Sequence, residues 1–120
     1  ISPTGWLMQE AMPFTIHSDA PVTFPNSMRI LDSAVNRVTR TGEVLGLEHK
    51  LSPLNALKAI TLWAAYQNFE EADKGSIEVG KQADFVILDQ NPLSIDPMEI
   101  KNIKILSTIN NGKTLFTNGE

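Results

Sequence analysis

His17, Ser18 and Asp19 stand side by side in the stretch FTIHSDAPV. An imidazole, a hydroxyl and a carboxylate thus follow a short run that favours a strand. A carboxylate just past a strand end can act as a general base or as a metal ligand. In a straight strand His17 and Asp19 lie on the same side and Ser18 on the other. Each residue also has a plainer reading. Asp19 can cap the following turn by accepting backbone N–H bonds. His17 can be a hydrogen-bonded interior residue. Ser18 lacks the G-x-S-x-G surroundings of an activated nucleophile. His49, between Glu48 and Lys50 in a polar stretch, reads as a surface residue.

The elements that must carry these residues follow from the pattern around them. WLMQEAM, residues 6–12, reads as the end of a helix closed by Pro13. Residues 14–17 are the strand candidate, and Asp19, Ala20 and Pro21 turn the chain away. Met28, Leu31, Val35 and Val38 recur at helical spacing, with Asn26 or Ser27 as the cap and Gly42 past the end. A second helix is expected over 51–69, with Ser52 at the N-cap and Pro53 at the first helical position. It is apolar around most of its circumference, which calls for cover on more than one side. Beyond Gly75 the pattern turns to strands: SIEV alternates, residues 83–89 (ADFVILD) form a β-rich run, and residues 104–109 (KILSTI) lead through Asn111-Gly112 into TLFTNG. Asn-Gly between two such runs predicts a hairpin.

Composition bounds the function. The 120 residues are 42% hydrophobic and 20% charged, as in a globular chain of one ordinary domain. The net charge is −4, and the ten basic residues are scattered. Neither nucleic acid nor an anionic membrane is therefore an expected partner. With no cysteine, disulfides and thiolate metal sites are excluded. No apolar run approaches a membrane span and no signal peptide is visible; a targeting signal could lie upstream, so the location is left open, with the cytoplasm favoured. Because the sequence opens on Ile1, it is expected to be a processed product or a piece of something longer.

HSDAPV, AVNRVTRTGEVLG, LSPLNALKAITLWAA, KGSIEVGKQADFVILDQNPL and INNGKTLFTNG, taken in this order, resemble the carboxyl-terminal part of the amidohydrolase superfamily. The resemblance is to its amidohydrolase family 3 branch of metal-dependent hydrolases and runs from about residue 14 to 119. It implies an α+β fragment: the eighth strand and following helices of a (β/α)₈ barrel in residues 1–74, and late strands of a small composite β-sandwich in 75–120. Residues 14–17 would be the eighth barrel strand. Asp19 would be the family's aspartate at its carboxyl end, the face where barrel chemistry sits.

The implied chemistry is hydrolysis of a carbon–nitrogen bond, other than a peptide bond, in a small amide-like substrate. A divalent ion, zinc by preference, lowers the pKa of its water to roughly 7. Asp19 would bind that metal, accept the proton of the attacking water and hand it to the leaving nitrogen. His17 would at most steady the groups around it. The family's other ligands are a His-x-His pair, a bridging carboxylated lysine or glutamate, and two later histidines. Only His17 and His49 occur here, and neither matches those motifs. The 120 residues alone are thus expected to be inactive, metal-free and prone to self-association through uncovered apolar surface. Two other readings compete: a free-standing, non-catalytic binding or assembly domain of related fold, and an unrelated α+β domain.

Overall fold

Asn26 starts the best-formed helix of the chain. Its side-chain oxygen accepts the Arg29 N–H at 3.1 Å, and α2 (Ser27–Asn36) follows. Met28, Leu31 and Val35 form its buried stripe, with Leu31 1% exposed. The stripe was expected to reach Val38, but the helix ends three residues after Ser33, where Arg37 turns left-handed (φ 53°) and donates its N–H to the Ser33 carbonyl. The β-branched Val38, Thr39 and Thr41 favour an extended turn instead. Val38 bridges to Val44, and the Thr39 N–H reaches the Glu43 carbonyl at 2.8 Å.

The computed structural model describes residues 2–119. A short helix, α1 (Thr4–Gln9), opens the chain. α3 (Pro53–Ile60) starts as expected, with the Ser52 hydroxyl accepting the Asn55 N–H at 3.3 Å. It does not run on to residue 69. Thr61 leaves helical geometry (φ −126°, ψ −93°) and donates its hydroxyl to the Leu57 carbonyl at 2.7 Å. That side-chain bond competes with the backbone ladder, and a separate helix, α4 (Leu62–Gln67), resumes beyond it.

The sheet has order β1-β2-β3, all antiparallel, from β1 (Phe85–Leu88), β2 (Ile105–Asn110) and β3 (Lys113–Thr117). Phe85 pairs with Ile109, and Thr108 with Phe116. The expected hairpin is present: Asn111 (φ 48°) and Gly112 (φ 75°) both occupy the left-handed region that a two-residue hairpin loop of this kind demands. Asp84 supports it, its carboxylate accepting the Asn111 N–H at 2.8 Å. SIEV forms no strand. The Lys81 ammonium donates to the Glu71 carbonyl and the Ser76 hydroxyl, each at 2.6 Å, and draws the chain into a loop there. The Glu78 carboxyl also joins this loop. Ser76 first, and then Lys81, hold its pKa below the usual carboxylate value. Whatever Glu78 contributes is present above that usual value and fades as pH falls through the lowered one.

The core lies between α2 and a 3₁₀ segment, Pro97–Asn102. Ile100 is fully buried and, with Ile103, meets Met28, Leu31 and Val35. Asn36, also buried, donates its amide to the Pro97 carbonyl at 2.7 Å. The core thus draws on residues from both sides of position 74.

Residues 14–17 correct the strand expectation. They carry the alternation of a strand, with Phe14 and Ile16 against the core. Yet they belong to no sheet, and among the described residues their backbone groups make no backbone hydrogen bond. A strand is defined by a neighbour to pair with, and the three strands among the described residues pair only with one another.

The surface is large for the mass. The chain exposes 8420 Å², where a self-contained protein of 13.2 kDa exposes about 6,400 Å². The radius of gyration is 14.9 Å, against about 13.6 Å for a domain of this length. Much of the excess is apolar. Phe69 is 92% exposed, and Val86, Ile87, Leu106, Leu115 and Phe116 of the sheet are all exposed. Among the described residues no helix is long and apolar enough to cross a membrane.

Candidate functional site

Asp19 sits at the tip of a short loop that follows residues 14–17. Its side chain is exposed, and no described residue hydrogen-bonds to the carboxylate. Both backbone groups of Asp19 itself are engaged. Asp19 adopts φ 55°, a left-handed conformation that Asp tolerates better than most residues. Its N–H donates to His17 Nδ1 at 3.0 Å. Its carbonyl accepts the Val22 N–H at 2.8 Å, across the cis Ala20-Pro21 bond. Thr23 closes the loop by donating its hydroxyl to the Ser18 carbonyl.

The segment leading into the loop is held from one side. Phe14 packs against Trp63 of α4, ring centroids 5.3 Å apart. Thr15 donates its hydroxyl to Gln67 Oε1 at 2.7 Å. Residues 13–15 and α4 thereby border a cleft of about 360 Å³ lined by Pro13, Phe14, Thr15, Trp63, Tyr66 and Gln67. His17 and Asp19 are in contact, but no third candidate ligand joins them. Among the described residues no group of three or more His, Cys, Asp or Glu side chains could hold a metal.

His49 does not lie on the surface, as its polar neighbours suggested. It is 7% exposed. Its Nδ1 accepts the Gly5 N–H at 3.2 Å, its carbonyl accepts the Thr4 hydroxyl at 2.5 Å, and Trp6 meets the ring edge-on at 5.2 Å. It is the clasp between α1 and the 3₁₀ turn Leu47–His49. Gly5 has to be glycine at this contact, because a Cβ there would stand 2.1 Å from the Glu48 carbonyl oxygen. The sequence holds little hint of it, since of the two leucines spaced around His49 only Leu51 is buried and Leu47 is exposed. Replacing His49 by leucine leaves the Gly5 N–H without its acceptor. The expected loss is about 1–3 kcal/mol of stability, measurable by urea unfolding. An unchanged midpoint would show that water or another group satisfies Gly5.

The sequence profile described as "Amidohydrolase family" matches residues 1–116, so the chain belongs to the amidohydrolase family, in its family 3 branch. An N-substituted formamide deformylase from Arthrobacter pascens is 26% identical over 110 residues, covering 92% of this chain and 20% of that protein. YtcJ of Bacillus subtilis (strain 168) is 29% identical over 102 residues, covering 82% of this chain and 19% of that protein. The chain therefore spans about a fifth of the length of these curated relatives. The crystal structure of an amidohydrolase from Thermotoga maritima MSB8 shares the fold with a TM-score of 0.69. That match is 20% identical in sequence and covers 93% of this chain and 25% of that one.

Proposed function

We propose that these residues are the carboxyl-terminal part of a metal-dependent hydrolase that cleaves carbon–nitrogen bonds other than peptide bonds, with Asp19 as its acting carboxylate. One observation carries the reading. An alternating segment with no sheet partner among the described residues ends on a loop in which the Asp19 N–H and carbonyl are both hydrogen-bonded and the carboxylate is free. Residues 14–17 then pair with neighbouring barrel strands supplied by the rest of the protein. Residues 1–74 belong to that barrel, and the sheet of β1, β2 and β3 belongs to the adjoining sandwich. The surface excess of about 2,000 Å² over a self-contained chain supports the same reading. So does Phe69, which a free-standing module would bury.

Asp19 fits a divalent metal as one ligand of a set. The remaining ligands lie outside these residues, since no cluster of three or more forms among those described. The metal, zinc by preference, supplies an acidified water. Asp19 accepts the proton released as water attacks the carbonyl carbon and returns it to the departing nitrogen. The formamide deformylase among the relatives makes N-substituted formamides the first substrates to try.

The test uses the full-length protein. Metal analysis is expected to find bound zinc or a similar ion, and chelation to abolish release of formate and amine, with recovery on adding zinc back. A reading frame without a His-x-His pair upstream of Ile1 overturns the reading.

A further inference from the structure

The loop around Asp19 is organised by one side chain, for which the sequence suggested at most a steadying role. His17 Nδ1 accepts the Asp19 N–H at 3.0 Å. An acceptor at one residue taking the N–H two residues on is the pattern by which Asx side chains build turns, here made by an imidazole. The ring nitrogen that accepts carries no proton, so the other carries it. The bond is placed where the backbone needs it. Asp19 is in the left-handed region at φ 55°, a conformation that is strained for an L-residue. The Val22 N–H occupies the Asp19 carbonyl, and Thr23 occupies the carbonyl of Ser18. Among these contacts, the His17 bond is the one that restrains the amide of Asp19 itself.

We propose that His17 is the positioning residue for Asp19: its Nδ1 holds the Asp19 amide, fixes the left-handed turn and so sets the direction of the free carboxylate. The proposal rests on the reading of Asp19 as the acting carboxylate. It treats His17 as neither a metal ligand nor a proton donor. A short carboxylate on a fixed backbone has little freedom left, which is what a ligand with a second task requires.

The test compares His17→Asn with His17→Leu in the full-length protein. Asparagine can offer Oδ1 to the same N–H, and leucine offers nothing. Three readouts are taken: the Asp19 backbone in crystal structures of both variants, zinc affinity of the metal-stripped protein, and hydrolysis of an N-substituted formamide. His17→Leu is expected to free Asp19 from φ near 55° and to weaken zinc binding and lower kcat by about 10–100-fold, with KM little changed. His17→Asn is expected to keep the turn and to stay within about threefold of the parent in both measures, well short of the loss on removing a supporting partner. Wild-type zinc affinity in His17→Leu overturns the proposal, as does an Asp19 left in place in that variant. A loss in His17→Asn equal to that in His17→Leu overturns it too, because the imidazole then does something an amide oxygen does not. Undiminished activity in Asp19→Asn overturns the underlying reading and this proposal with it. An inactive Asp19→Asn beside a fully active His17→Leu overturns this proposal alone.

Discussion

Asp19→Asn in the full-length protein is expected to lower turnover by about 10²–10⁴-fold while leaving the fold unchanged. The substitution keeps the size of the side chain and removes its capacity to accept the proton of an attacking water. It should cost little stability, because no described residue hydrogen-bonds to the carboxylate and the side chain is exposed. The loop is held through the backbone of Asp19, which asparagine shares, and asparagine also tolerates the left-handed conformation. Steady-state kinetics beside a thermal melt separate the two effects. Near-normal kcat at an unchanged melting temperature would remove Asp19 from the chemistry.

The second large effect is expected in the core. Ile100→Ala should destabilise the chain by about 2–5 kcal/mol, a sizeable share of the 5–15 kcal/mol that holds a typical domain together. Ile100 is fully buried and packs in one cluster with Leu31, itself 1% exposed. The cavity has little means of closing. α2 is tied to the 3₁₀ segment through Asn36 and the Pro97 carbonyl, and Asp96 caps that segment by accepting the Met98 N–H at 2.9 Å. Urea unfolding would show a lower midpoint at constant slope. A shift below about 1 kcal/mol would mean that the segment collapses onto α2 after all.

Features set by local chemistry were legible in the sequence. Asn111 and Gly112 fix a hairpin because both positions need positive φ, which few other pairs supply. Asn26 and Ser52 mark helix starts because their side chains accept N–H groups that the helix leaves over. The turn at Asp19 was marked by Asp19-Ala20-Pro21, but the expected capping by the carboxylate is absent among the described residues, since His17 and not Asp19 supplies the acceptor. Features decided by competing local signals, or by a partner far off in the sequence, were not legible. Whether Val38 continues a helix or turns out of it is a contest between apolar spacing and β-branched stiffness, and the bridge to Val44 decides it. The break at Thr61 depends on a hydroxyl choosing the Leu57 carbonyl. His49 looked polar because its neighbours in sequence are charged, while its neighbours in space are Thr4, Gly5 and Trp6. The free carboxylate of Asp19 was open to sequence reading. The use of His17 as an acceptor for its amide was not, because the left-handed turn that brings the two together is a property of the folded loop.

The bond between Asn36 and Pro97 spans 61 residues, and this bears on how the protein is made. A ribosome adds about 5–20 residues per second, so roughly 3–12 s separate the emergence of α2 from that of the segment that covers it. A β-hairpin such as β2–β3 closes within about 1–10 μs once both strands are available. Met28, Leu31 and Val35 must wait for Ile100 and Ile103 with only part of their native cover, from Leu51 and Ala56 of the same cluster. During that interval the nascent chain presents a half-covered apolar helix, which makes α2 a natural place for a chaperone to hold it.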